Sequence, residues 1–139
     1  MTVELPTGYK PSADEEYMSP QQLEYFRLKL LAWREELMLE SQETIEHLRD
    51  QSNQEVGDEA DRANRESEHG LELRTRDRYR KLLRKIDQAL GRIDDGSYGY
   101  CEDTGEEIGV RRLDARPIAT LTVDAQERRE MKEKVLADR

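Results

Sequence analysis

One cysteine in 139 residues is the most restrictive shortage in this chain. Cys101 has no partner for an internal disulfide, so the fold is not cysteine-stapled, and a reducing compartment is expected. Basic charge is also short, with 23 Lys and Arg against 32 Asp and Glu and a formal net charge of −9. Direct DNA or RNA binding is therefore not expected, because phosphate neutralisation demands a basic surface. Long apolar runs are missing as well: none approaches the ~18 residues of a membrane span. The opening segment, MTVELPTGYKPSADEEYM, lacks a basic stretch followed by an apolar one, so a soluble, cytoplasmic protein without membrane attachment is expected. Apolar residues make up 35% of the chain against 40% charged, below the roughly 45–50% of a compact globule. The length allows one domain, or one small domain with an extended arm, and excludes a multidomain enzyme.

The apolar residues that are present fall at helical intervals. Residues 1–18 hold Pro6, Gly8 and Pro11 without an apolar period, and read as an irregular leader that packs on the base of the fold. Ser19-Pro20 then supplies an N-cap and a first-turn proline. Leu23, Phe26, Leu30, Trp33, Leu37, Ile45 and Leu48 follow in steps of three and four, interrupted once near Glu40 and Ser41, which predicts a helix of about 35 residues. The stretch NQEVGDEADRA breaks this seam with Gly57 and two candidate N-caps, Asp58 and Asp61. A second long helix is predicted through Leu71, Tyr79, Leu83, Ile86, Leu90 and Ile93, stopped by Asp94-Asp95-Gly96.

A fold-back at residue 58 pairs positions whose numbers sum to 116: Leu23 with Ile93, Phe26 with Leu90, Leu30 with Ile86, Trp33 with Leu83, Leu37 with Tyr79 and Ile45 with Leu71. The expectation is a mainly α protein in which residues 19–95 form a long antiparallel coiled-coil hairpin, roughly 50 Å at about 1.5 Å per residue, with an acidic tip near 57–61. Ser41 then faces Thr75, a polar step in the seam. His47 and His69 also sum to 116, and two solvated histidines are expected in preference to a metal-binding or pH-sensing pair. Residues 96–139 read as a small globular lobe followed by an Asp124-capped helix carrying Met131, Val135 and Leu136.

Charge is unevenly placed. Residues 72–92 carry eight Arg or Lys against three acidic residues, whereas 40–61 carry eight acidic residues and one Arg. Arg74, Arg78, Lys81 and Lys85 share one helical stripe, which reads either as i,i+4 ion pairs or as a binding surface. At the tip, Asp58, Glu59 and Asp61 read either as turn and cap residues or as carboxylates that a narrow rod delivers to a cation or a basic loop.

The block YGYCEDTGEEIGVRRLDARP at 98–117, with DEEYM at 14–18, the D-x-x-D-R-A tip at 58–63 and LELRTRDRYRKLLRKI at 71–86, resembles the DksA family of bacterial transcription factors, which bind RNA polymerase rather than DNA. The resemblance implies an antiparallel coiled coil on a globular base with a C-terminal helix, acting as a monomer. It implies that the rod enters the secondary channel of the polymerase, placing Asp58, Asp61 and Ala63 near the active centre to perturb initiation. It also implies a site for the alarmone ppGpp that includes Leu82, Lys85 and Arg116, with Arg78 and Lys81 influencing the response. The family's zinc finger uses four cysteines, and those positions here are Cys101, Thr104, Thr122 and Ala125. A hydroxyl or a methyl group cannot replace a thiolate, so no zinc is expected, and packing and hydrogen bonds among Tyr98, Tyr100, Thr104, Leu121, Thr122 and Val123 are expected to replace it. Gln126 stands where the family has a basic residue, which weakens the expectation of alarmone binding. Cys101 is expected to be a partly buried side chain rather than a redox switch.

A non-enzymatic regulator of transcription is thus the leading reading. The alternative is a coiled-coil structural adaptor without polymerase activity, for which an already paired seam leaves little apolar stripe. An enzyme using the tip carboxylates is disfavoured, because an exposed turn offers no water-excluding pocket.

Overall fold

The computed structural model describes residues 3–53 and 59–138, with side chains described for 3–51 and 64–138. Among the described residues there are four helices and no strand: α1 (Pro20–Asn53), α2 (Glu59–Asp95), α3 (Val110–Ala115) and α4 (Val123–Ala137). The chain is therefore mainly α, and none of these helices is long and apolar enough to cross a membrane. It divides into two compact units: Leu31–Asp87, and Met1–Leu30 together with Gln88–Arg139.

The ends of the long helices follow from their sequence. The Ser19 hydroxyl accepts the Gln22 N–H at 3.3 Å and its carbonyl accepts the Leu23 N–H at 2.9 Å, so Ser19 caps α1 with Pro20 in the first turn. At the end of α2 the Ser97 and Tyr98 amides both donate to the Arg92 carbonyl, and Gly96 takes φ 84°. The Asp95 carboxylate accepts the Ser97 N–H at 2.9 Å, which secures the same turn.

In the unit Leu31–Asp87, α1 and α2 run antiparallel, but in a register other than the one predicted. Arg34 meets Asp87 at 2.7 Å and Arg49 meets Glu72 at 3.0 Å, and each of these pairs sums to 121. Thr44 Oγ1 lies 3.4 Å from the Tyr79 hydroxyl, and that pair sums to 123. Each α1 residue is thus opposed five to seven positions further along α2 than the sum of 116 requires. Leu37, Ile45, Tyr79 and Ile86 are buried as expected, yet Thr75 is 8% exposed whereas Leu71 is 42% exposed. Counting back from Ile86 in steps of three and four leads through Leu82, Tyr79, Thr75, Glu72 and Glu68, so spacing rather than hydrophobicity selects the seam. His47 and His69 do not face each other: His47 lies 3.3 Å from the Gln51 amide nitrogen and His69 4.0 Å from Glu72.

The other unit is organised by aromatic rings. Tyr98, 1% exposed, packs on Phe26 with ring centroids 5.6 Å apart and donates its hydroxyl to the Pro117 carbonyl at 2.7 Å. Leu113, Leu121, Ile108 and Val110 complete this core. The leader is held by polar contacts: Gln22 accepts the Met18 N–H and donates to the Ser12 carbonyl, and the Tyr17 hydroxyl donates to the Gly99 carbonyl at 2.6 Å while accepting the Gly109 N–H at 3.0 Å. Asp114 of α3 accepts from Tyr25 and Lys29 of α1, each at 2.6 Å. Burial opposes ionisation of Asp114, but these two donors outweigh it and hold the carboxyl below its usual range. α4 is capped by Thr122, whose hydroxyl accepts the Ala125 N–H at 3.2 Å; Asp124, the predicted cap, lies in the first turn, where its charge suits the helix dipole.

Gly99 carries the tightest backbone constraint. It adopts φ 94°, and a Cβ there would lie 2.9 Å from the Met18 side chain and 3.1 Å from the Tyr17 hydroxyl. Gly99→Ala is expected to destabilise the protein by about 2 kcal/mol through left-handed strain and displacement of Met18. Gly91→Ala, inside α2 with nothing within 4 Å, is expected to stabilise it by about 0.5–1 kcal/mol. Urea denaturation of both variants measures the contrast, and equal effects would contradict it.

Candidate functional site

Three groups of residues carry chemistry. The first is the basic side of α2. At about 100° per residue, Arg74, Arg78, Lys81, Leu82 and Lys85 fall within an arc of roughly 100°. Leu82 is half-buried at the edge of the seam, and the four cations are exposed. Lys81 lies 3.6 Å from Asp77, and the Arg78 guanidinium stacks over the Tyr79 ring at 5.6 Å. Arg74, Arg78 and Lys85 have no acidic partner among the described residues, so most of the stripe is not consumed by i,i+4 ion pairs. Positive charge held this way on a rigid helix is available to phosphates or carboxylates. Arg116, the remaining residue of the expected alarmone site, is the exposed C-cap of α3 and belongs to the other compact unit.

The second group is the acidic tip. Asp58 lies outside the described residues. Asp61 and Ala63 fall in the opening turns of α2, and their side chains are likewise outside the described set.

The third group surrounds Cys101, which is 3% exposed. Its sulfur accepts the Thr122 N–H at 3.4 Å and faces the Thr122 hydroxyl at 3.8 Å. Burial pushes the thiol up, but hydrogen bonds from the Thr104 hydroxyl and from the amides of Thr122, Thr104 and Asp103 outweigh it and bring the pKa to about 6. The same turn is fixed by Cys101 N–H to the Glu106 carbonyl at 2.8 Å and Gly105 N–H to the Cys101 carbonyl at 2.9 Å. Thr122 in turn accepts the amide of Ala125, which is 1% exposed. Cys101, Thr104, Thr122 and Ala125 therefore converge on one knuckle, built from hydrogen bonds to sulfur. Its donor set does not fit a structural zinc ion, which needs four thiolate or imidazole ligands: one thiol is present, two positions are hydroxyls and the fourth is a methyl group. Among the described residues no three His, Cys, Asp or Glu cluster as a metal site.

Several expectations about this lobe are corrected. Tyr98 and Leu121 are core residues, whereas Tyr100 and Val123 are 40% and 50% exposed. Tyr100 instead packs edge-on against Tyr17 of the leader, with centroids 5.6 Å apart. Arg112 donates to the Leu121 carbonyl at 2.9 Å, bracing the strap before α4. The bidentate pair of Arg129 with Asp103, which ties α4 to the knuckle, was missed because nothing in the local pattern connects residues 26 apart. Apolar side chains also remain outside the seam on α1: Leu31, Met38 and Leu39 are 39%, 43% and 56% exposed.

Comparison with known proteins covers nearly the whole chain. The family profile of the DnaK suppressor protein DksA, N-terminal domain, matches residues 22–93, and that of the prokaryotic dksA/traR C4-type zinc finger matches 96–130. The RNA polymerase-binding transcription factor DksA of Caulobacter vibrioides is 59% identical over 95% of this chain and 92% of its own length. The protein of that name from Escherichia coli is 46% identical over 93% of this chain and 85% of its own. Among solved structures, the transcription factor DksA2 of Pseudomonas aeruginosa superposes with a TM-score of 0.76 at 44% identity, covering 88% of this chain and 95% of its own.

The knuckle has a pH signature. An acid whose folded pKa is depressed stabilises the fold fully above its unfolded value and loses that contribution as pH falls through the folded one. For Cys101 the window runs from the ordinary 9.0 down to about 6. Wild-type stability is expected to rise across this window relative to Cys101→Ala, and thiolate absorbance to titrate near its lower end. A thiol titrating at its ordinary value would contradict the hydrogen-bonded knuckle.

Proposed function

The chain belongs to the DksA family, and on that footing we propose that it is a non-enzymatic transcription factor that binds bacterial RNA polymerase. In this reading the α1–α2 hairpin enters the secondary channel and modulates initiation together with ppGpp, as part of the stringent response. The observation that carries it is the 59% identity, over 95% of this chain, to a protein named as an RNA polymerase-binding transcription factor. The cations on α2 support it, since Arg78 and Lys85 have no acidic partner among the described residues and can meet an anionic one.

The residue roles follow from chemistry. Asp58 and Asp61, with Ala63 beside them, act near the active centre, where a carboxylate can accept hydrogen bonds from basic loops or approach a hard cation. Lys81, Lys85 and Arg116 suit the phosphates of ppGpp, Leu82 provides apolar contact, and Arg78 adds charge along the same stripe. In this reading the protein acts as a monomer, and it folds without zinc because the knuckle around Cys101 is closed by amide and hydroxyl donors. The adaptor reading gains one specific observation, the exposed Leu31, Met38 and Leu39 on α1; polymerase binding by the purified protein separates the two.

Two outcomes are expected. Elemental analysis of the purified protein gives well below one zinc per chain, and a chelator leaves its thermal unfolding unchanged; one zinc per chain or chelator-induced unfolding contradicts this. Asp61→Asn keeps the size and shape of the side chain and removes its charge. It is expected to retain polymerase affinity within about twofold while losing most regulation at an rRNA-type promoter in vitro, with and without ppGpp. Normal regulation at equal affinity would reduce the tip to a turn.

A further inference from the structure

The unit Leu31–Asp87 contains a groove of about 430 Å³ on the side of α2 away from the Arg78–Lys85 stripe. Its origin is Ser41. The α1 seam places this small residue between the buried Leu37 and Ile45, and the missing volume leaves half-buried Leu83, beside the edge of buried Tyr79, as the floor. Three arginines one helical turn apart, Arg76, Arg80 and Arg84, line it from α2. Arg76 is spent on Glu72 at 3.0 Å, and Asp87, at the end of the groove, is spent on Arg34 at 2.7 Å. Arg80 and Arg84 are exposed and have no hydrogen-bond or ion-pair partner among the described residues. In a chain of net charge −9, two adjacent guanidinium groups left unneutralised beside a concave, partly apolar floor are a local reversal of sign.

We propose that this groove is a docking site for an acidic segment of the protein partner, one that presents two carboxylates about one helical turn apart with an aliphatic side chain between them. The spacing carries the choice. Arg80 and Arg84 are separated by about 6 Å along the helix, the rise between i and i+4 carboxylates on a facing helix, and each guanidinium fork can donate two hydrogen bonds to one carboxylate. The aliphatic side chain fills the volume that Ser41 leaves above Tyr79 and Leu83. This inference rests on the reading of the partner as RNA polymerase and adds a contact surface on the face of α2 that the alarmone stripe does not use.

The test measures equilibrium affinity for purified bacterial RNA polymerase at two salt concentrations, using wild type, Arg80→Gln/Arg84→Gln and Ser41→Leu. The double variant is expected to bind at least about tenfold more weakly with a shallower salt dependence. Ser41→Leu, which fills the groove without changing charge, is expected to weaken binding while leaving the hairpin helical by circular dichroism. Wild-type affinity and salt dependence in both variants would overturn the proposal. A double variant that binds polymerase normally but loses affinity for free ppGpp would also overturn it, and would assign the groove to a phosphate ligand. Failure of the wild type to bind polymerase is distinguishable from these, and overturns the functional reading together with the partner assigned here.

Discussion

Two helices of 34 and 37 residues in a chain that is 40% charged stay paired through a narrow seam. In the unit Leu31–Asp87 that seam is Leu37 and Ile45 on α1 with Thr75, Tyr79 and Ile86 on α2. Tyr79 is its most demanding member. Its ring is buried, its hydroxyl reaches Thr44, and Arg78 stacks on it from outside. Because the buried seam takes only one narrow stripe of α2, the basic residues lie on its flanks, and the two cationic faces follow from that division. Towards the start of α2 the seam turns polar: Glu72 takes a seam position and is held ionised chiefly by Arg76, with Arg49 across the hairpin adding to it. Exposed pairs of this kind contribute little each; they fix register more than they add stability.

The unit formed by the two chain ends solves a different problem. A lobe of this size has too little core to be stable by apolar burial alone. Here the buried tyrosines supply both area and hydrogen bonds: Tyr98 spans from Phe26 to the Pro117 carbonyl, and Tyr17 bridges Gly99 and Gly109. The hydrogen-bonded sulfur of Cys101 occupies the place of one ligand, and Thr122 serves twice, as donor to that sulfur and as cap of α4.

Much of this was legible in the sequence, and the failures are instructive. Both long helices, the Ser19 cap, the stop after Asp95 and the mainly α class follow from local spacing and turn chemistry. The hairpin register did not, because the largest apolar residue near each position was chosen; Leu71 attracts that choice, yet the three-and-four rhythm passes through Thr75. The cap of α4 was assigned to Asp124 because Asp is a strong cap by type, whereas Thr122 wins by its position three residues before the Ala125 amide. The groove beside Ser41 was visible only as a weak step in the seam, since its arginines gain meaning from which of them lack partners, and that is a tertiary property. The cation stripe is legible on one helix face, but its two readings, ion pairs or a binding surface, separate only in three dimensions, where Lys81–Asp77 is its one ion pair among the described residues.

In the proposed function the hairpin delivers its acidic tip into the secondary channel of RNA polymerase. The most direct measurement is tethered cleavage: an iron chelate attached through Glu55→Cys, in a Cys101→Ser background, generates hydroxyl radicals within the assembled complex with RNA polymerase. The account predicts cuts in polymerase segments lining the active centre, and their loss when an excess of unmodified protein competes. Cuts confined to the outer surface of the enzyme, with binding intact, would contradict it.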